Sequence, residues 1–408
     1  MKRIPISISW HPLWPRQTWR LPQAVGRKTS TFTVCHDKPP SRICYADLTR
    51  MVEEARHPLK RGPGTCCRQT GFSKADCGYR YRSTLRGWSY IAAARAIGRD
   101  KQKGRQSDVD MDHLLDLVLE QEGLCAYSGI PMELLIPNSH WGVSIERIDT
   151  QLGYMKGNCC LIAAEFNTTV RNPRHEAGTS CGSAQWSRQK VQRVAHVRTE
   201  QVQLHSLQED IAAARLRPVR SQTASSQDFR GPDSAGNWRC GRCGNWLEMD
   251  QFAKRTASKN GLQYHCKKCG SDFCSAVRQT LRGHVLDMVR NARHRATKHP
   301  LCGSSLLNTD DVLEMLWLQG GRCYYSGVPL HCAAGPADWV WSIERLDNSV
   351  TYTRENCVLI AREFQTADQS RNKAKFPVFG TAQWSISKAA HIWGPYVPGV
   401  GDDCEVHK

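Results

Sequence analysis

The strongest constraint on this chain is that part of it occurs twice. Sliding the sequence by 198 residues, the separation of Cys125 from Cys323, aligns Cys125-Ala-Tyr-Ser-Gly-Ile-Pro-Met132 with Cys323-Tyr-Tyr-Ser-Gly-Val-Pro-Leu330. The same shift aligns Ser144-Ile-Glu-Arg-Ile-Asp149 with Ser342-Ile-Glu-Arg-Leu-Asp347, and Asn158-Cys-Cys-Leu-Ile-Ala163 with Asn356-Cys-Val-Leu-Ile-Ala361. Glu165-Phe166 falls on Glu363-Phe364, and Ala184-Gln-Trp-Ser187 on Ala382-Gln-Trp-Ser385. An ungapped match of this length is a duplication, so the fold must be one that a short unit can form twice. Such a unit has little core of its own and needs a second surface, from a preceding helix or from its twin.

Within each copy, Ser128-Gly129 and Pro131 mark a turn, residues 143–148 alternate as a strand, and Gly153 breaks the chain. The apolar run from Cys159 to Asn167 predicts the start of a helix packing back on the strand. Upstream, Leu114, Leu115, Val118 and Leu119 form an apolar stripe matched by Val312, Leu313, Leu316 and Trp317. Asp110 or Asn308 can cap these helices, and Gly123 or Gly321 can end them. Farther upstream lie two basic helical segments, each opening with Leu-Arg-Gly, at Leu85 and at Leu281.

Charge narrows the partners. The 408 residues carry a formal +18, which favours a polyanion such as DNA or RNA. Arg86, Arg95, Arg282, Arg290 and Arg293, on the two basic segments, are the candidate phosphate contacts. No apolar run is long enough to span a membrane. Residues 1–34 contain no Asp or Glu and read as a basic tail or an organellar targeting segment, while the absence of a secretory leader points to a reducing compartment, with the nucleus and organelles both open.

Among the 19 cysteines, Cys240-Gly-Arg-Cys243 and Cys266-Lys-Lys-Cys269 are two Cys-x-x-Cys pairs with 22 residues between them. Four thiolates so spaced suit tetrahedral Zn²⁺, and a structural zinc offsets the lack of an apolar core. Cys35, Cys44, Cys66, Cys67 and Cys77 are irregularly spaced and leave open a second zinc or simple thiols.

The runs Cys-x-Tyr-Ser-Gly-x-Pro, Ser-Ile-Glu-Arg-Ile-Asp, Gly-Tyr-x-x-x-Asn and Glu-Phe-Asn together resemble the HNH-type, or ββα-metal, endonuclease family in its recombination-endonuclease-like branch. The resemblance implies an α+β fold: two small ββα, treble-clef-like modules with accessory helices and at least one zinc ribbon. It places Glu146 and Glu344 at the metal-holding strand acid, Asn158 and Asn356 at the loop-orienting Asn, and Asn167 or Gln365 at the second ligand. Arg147 and Arg345 stand where the family has its base histidine. An arginine, with a pKa above ~12, clamps a phosphate but takes no proton at neutral pH. His140 is a base candidate by proximity, although its counterpart is Asp338; Ser128 and Ser326 replace the second cysteine of the family's zinc pair.

The expected functions are therefore Mg²⁺- or other divalent-metal-dependent phosphodiester hydrolysis, or a non-catalytic zinc-containing nucleic-acid-binding protein on an inactivated nuclease scaffold, including a structural subunit of a nucleoprotein particle. Against both stands a purely architectural role: Glu146 and Arg147 as an ion pair, Asn158 as a loop cap, and Trp186 and Trp384 as core. The expected domains are a basic tail (1–34), a Cys-rich segment with basic helix (35–110), a first module (111–190), a linker (191–237), a zinc ribbon with basic helix (238–307), a second module (308–390) and an extended tail (391–408). The arrangement is a monomer with an internal pseudo-dimer or a component of a nucleoprotein assembly.

Overall fold

A computed structural model describes residues 38–57, 74–167, 186–216, 231–258, 260–298, 305–332, 337–365 and 383–396. Residues 1–34, Cys35, Cys66, Cys67, the side chain of Cys77 and the last twelve residues lie outside the described set, and with them the expectations placed there. Among the described residues the architecture is α+β, helices together with four two-stranded antiparallel sheets.

The hairpins come first because they carry the repeat. Strand β1 (Val143–Arg147) pairs with β2 (Cys159–Ala163), Ile145 opposite Leu161 and Glu146 opposite Cys160. Strands β7 (Trp341–Arg345) and β8 (Cys357–Ala361) repeat that register, with Ile343 opposite Leu359 and Glu344 opposite Val358. The run from Cys159 was expected to begin a helix; it is the second strand. A five-residue apolar run covered on both faces carries no periodicity to separate strand from helix, and pairing with the first strand decides the outcome. The described residues stop at Asn167 and Gln365, so a helix completing either ββα unit falls outside them.

A side-chain amide closes the free edge of each second strand. Gln121 Nε2 donates to Leu124 O at 2.9 Å and Leu161 O at 2.8 Å, while its Oε1 accepts from Leu161 N at 2.9 Å. Gln319 makes the same three bonds, to Arg322 O, Leu359 O and Leu359 N. An open edge invites pairing with another strand, and a glutamine at the end of the preceding helix blocks it. Cys125 and Cys323 are structural too, each sulfur accepting from the backbone N–H of Ala163 or Ala361.

The helices extend the duplication upstream. Helix α1 (Tyr45–Arg56) is followed by α2 (Lys74–Arg82), α3 (Leu85–Gln102) and α4 (Met111–Glu120). In the second half the counterparts are α6 (Leu204–Arg215), α7 (Lys267–Gln279), α8 (Leu281–Lys298) and α9 (Thr309–Leu318). Asp110 Oδ1 accepts from His113 N at 2.7 Å, and Asn308 forms a capping box with Asp311, as the sequence anticipates. Gly87 and Gly283 lie where a Cβ would fall 1.8 Å from the carbonyl oxygen of Tyr81 or Val277, so the sharp bend into each basic helix demands glycine. Arg86 Nη1 reaches Ala55 O on α1 at 2.7 Å, and Arg282 Nη1 reaches Ala214 O on α6 at 2.6 Å. These matching bonds identify α6 as the second copy of α1. The stretch assigned above to a linker at 191–237 therefore includes core: Leu207, Ile211 and Ala214 are buried, as are Val191, Val194 and Val197 on α5 (Arg188–Val197).

The two copies close on each other. Glu165 accepts from Trp141 N and also binds Lys388 Nζ at 2.7 Å, from helix α10 (Ile386–Trp393) at the far end of the other copy. Reciprocally, Glu363 accepts from Trp339 N and binds Lys190 Nζ at 2.6 Å, from α5. Lys190 and Lys388 occupy equivalent positions, and each lies over the other copy's tryptophan, Trp339 or Trp141. Between them Phe166, Trp186, Phe364, Trp384 and Trp393 interlock, with Trp186 and Trp384 ring centroids 5.6 Å apart. A surface that contacts its own duplicate through exchanged partners has the logic of a two-fold dimer interface. Trp186 and Trp384 are core, at the junction of the copies.

Candidate nucleic-acid and metal sites

The strand acids are enclosed. Glu146 and Glu344 are 1% and 0% exposed. Gln365 Nε2 donates to Glu344 Oε2 at 3.1 Å and to Ile343 O at 2.5 Å, so in the second copy the acid and the position beyond the second strand do converge, as donor and acceptor. In the first copy the shorter Asn167 stays on the strand, its Nδ2 donating to Ser144 Oγ at 2.8 Å and Ile145 O at 2.9 Å. The two copies thus differ where Asn167 of one stands at the position of Gln365 in the other.

Arg147 and Arg345 turn away from solvent. Arg147 Nη1 donates to Thr150 O and Leu152 O, and its guanidinium lies 5.1 Å from the centre of the Tyr154 ring. Arg345 donates to Val350 O and Asn348 Oδ1 and sits 4.8 Å over Tyr352. Asn158 locks the same loop: its Oδ1 accepts from Asp149 N and its Nδ2 donates to Asp149 O and Gly153 O. Asn356 repeats that clamp around Asp347. These four side chains shape the loop between the strands. His140, the base candidate by proximity, is buried.

The metal-competent group is elsewhere. Strands β3 (Trp238–Arg239) with β4 (Trp246–Leu247), and β5 (Phe252–Lys254) with β6 (Leu262–Cys266), form two small hairpins. Cys240 and Cys243 lie on the turn of the first; Cys266 ends the second and caps α7, whose first turn carries Cys269. The four sulfurs lie within 4.8 Å of one another. This is the only cluster of three or more His, Cys, Asp or Glu side chains with that geometry among the described residues. Burial raises the Cys240 thiol, but backbone N–H donors from Cys243, Cys266 and Arg242 outweigh it and bring the pKa to about 6. At Cys269 the side chain of Cys266 pushes the other way, to about 12. Four thiolates this close repel one another unless a cation sits between them, so the donor set, its tetrahedral reach and the helix N-terminus beneath it all fit one Zn²⁺.

The basic helices divide into structural and exposed arginines. Arg86 and Arg282 are committed to the backbone of α1 and α6, whereas Arg95, Arg290 and Arg293 face solvent together with Arg99, Arg295 and Lys298. On α8, His284 is buried, and desolvation with the nearby Arg362 charge pushes it down to about 4 despite a ring hydrogen bond to the Trp341 backbone and the Asp287 charge, both of which raise it. A histidine that must shed its proton to fold stabilises the native state above its unfolded pKa of ~6.5, and that contribution is lost as pH falls toward 4. Replacing His284 with Gln is expected to flatten stability between pH 6.5 and 4, measured by urea unfolding at each pH.

No protein-family model, curated protein or solved structure matches this chain.

Proposed function

We propose that this is a zinc-containing nucleic-acid-binding protein on an HNH-like scaffold, gripping phosphates through exposed arginines of α3 and α8. The observation that carries this reading is the enclosure of both strand acids, with each neighbouring arginine bonded to its own loop. A hydrolytic metal site needs an open coordination position for substrate. The net +18 charge supports a polyanionic partner. The second reading, a divalent-metal endonuclease, draws on the approach of Gln365 to Glu344.

Electrophoretic mobility shift with single-stranded and duplex DNA and RNA tests both. Affinity is expected to drop roughly 100-fold between 50 and 200 mM salt, the slope for about four neutralised phosphates. No cleavage is expected with Mg²⁺ or Mn²⁺. Metal-stimulated cleavage that Glu146→Gln or Glu344→Gln abolishes would establish the nuclease; salt-independent affinity would remove the electrostatic account.

A further inference from the structure

A groove of about 390 Å³ separates α8 from strand β7 in the second copy. Its lining includes three guanidinium groups, on Arg278, Arg295 and Arg362, against a single carboxylate, Asp287. Asp287 is already engaged, 3.9 Å from Arg278 and 3.7 Å from Arg290. Arg362 is half-buried; burial lowers its pKa and the adjacent Glu363 charge raises it, while among the described residues it makes no side-chain hydrogen bond or ion pair. Two buried polar atoms of lining residues lack partners: His284 Nε2 and Trp341 Nε1. Unanswered buried groups of this kind are costly and call for an occupant.

The first copy keeps two of the three arginines, Arg82 at the position of Arg278 and Arg99 at that of Arg295, but not the rest of the lining. The bend glycines and their carbonyl contacts set the two basic helices in register, Gly87 on Gly283, which places Trp88 on His284 and Ile91 on Asp287. In the hairpin, Val143 corresponds to Trp341 and Ala164 to Arg362. Ile91 and Ala164 of one copy are thus charged in the other, Trp88 gives way to His284 and Val143 to Trp341, and all four second-copy residues line the same groove. Trp88 packs against the core where the second copy leaves space.

We propose that this groove is a subsite for a phosphate-ester anion, gripped by Arg278, Arg295 and Arg362, with Trp341 Nε1–H donating to a phosphate oxygen. Its size suits one nucleotide unit rather than a long segment. The proposal deepens the nucleic-acid reading, by naming where the second copy holds a strand, and can be separated from it. A phosphate bound here also favours protonation of His284, turning Nε2 into a donor.

Two measurements on the full chain test it. Inorganic phosphate is titrated into the protein while the His284 imidazole is followed by NMR, with His284→Gln providing the assignment. Oligonucleotide affinity is then compared for the unaltered protein and Arg362→Ala, a change to the residue the first copy already uses at that position. The expected results are a saturable shift of the His284 resonance, about tenfold weaker oligonucleotide binding by Arg362→Ala, and a salt slope smaller by about one. A saturable His284 shift without any oligonucleotide binding would uphold the subsite for a free phosphate ester and remove the nucleic-acid reading. An unchanged His284 resonance in saturating phosphate, with Arg362→Ala binding oligonucleotide as the unaltered protein does, would overturn the proposal.

Discussion

Replacing Glu165 with Ala is expected to destabilise the protein by about 3–5 kcal/mol, the range for breaking a buried ion pair from one side. Two groups are stranded by the change. Lys388 Nζ, fully buried, loses the carboxylate oxygen at 2.7 Å while its bond to Gln383 O at 2.9 Å remains, and Trp141 N–H loses the carboxylate that it meets at 3.0 Å. The equivalent Lys190 is more accessible and also binds the exposed Asp338, so Lys190→Ala should cost less than Lys388→Ala. Replacing Glu165 and Lys388 together by Leu and Met should recover part of the loss, because the stranded charge is then gone. Urea unfolding followed by tryptophan fluorescence reads all four variants. Equal, small losses from Lys190→Ala and Lys388→Ala would show that the aromatic cluster holds the copies together without the ions.

Removing the metal is expected to unfold residues 231–279 while leaving the paired hairpins intact. The apolar core of this segment consists of Cys240, Phe252, Leu262 and Cys266, with Trp238, Leu247 and Cys269 packed beside it. Two of its four buried members belong to the cysteine cluster that fits zinc. Helix α7 buries none of its thirteen residues, so the cysteine cluster, the Arg242 guanidinium over Phe273 and the junction with α8 carry the weight of ordering it. A zinc site of this class supplies on the order of 10 kcal/mol to folding, far more than four side chains can. Titration with a chelator should release about one zinc per chain, reduce helical circular dichroism, and change the emission of Trp238 and Trp246 while the buried Trp186 and Trp384 stay shielded. A metal-free protein with α7 intact would exclude this role for the metal.

Features carried by a local rule were legible from the residues. The Asp110 and Asn308 caps, the glycines after α4 and α9, the first strand of each hairpin and the Cys-x-x-Cys spacing all follow from single-residue geometry. The second strand was not legible, because Cys-Cys-Leu-Ile-Ala is equally a helix start until a partner strand is present. Nor was α6 recognisable as a repeat of α1. Its likeness rests on three small or aliphatic contacts and one carbonyl accepting from an arginine, and the ribbon inserted after it breaks the spacing. Lys190 and Lys388 align under the 198-residue shift, but no sequence comparison reveals that each serves the other copy's glutamate. Nor could the sequence show that Arg147 and Arg345, offered to a phosphate by the resemblance, also donate to the carbonyls of their own short loop, which compete for the same five donors. The groove on the second copy joins two arginines that both copies carry to four positions where they differ, and a search for shared residues finds only the former.

The crossed helices have a consequence for how the chain is made. Glu165 and Lys388 are separated by 223 residues, and Trp186 docks on the backbone of Glu363 across 177. Synthesis runs from the N-terminus, so the first hairpin is complete long before its cation and its covering tryptophan exist. Until the last helix is released, a carboxylate and several indole faces destined for the interior stand in water. Contacts so distant in sequence form late and slowly, and a half-made chain of this design offers its apolar surface to chaperones or to a second nascent copy. Swapped dimers, in which α10 of one molecule closes on Glu165 of another, are the expected error of rapid overexpression.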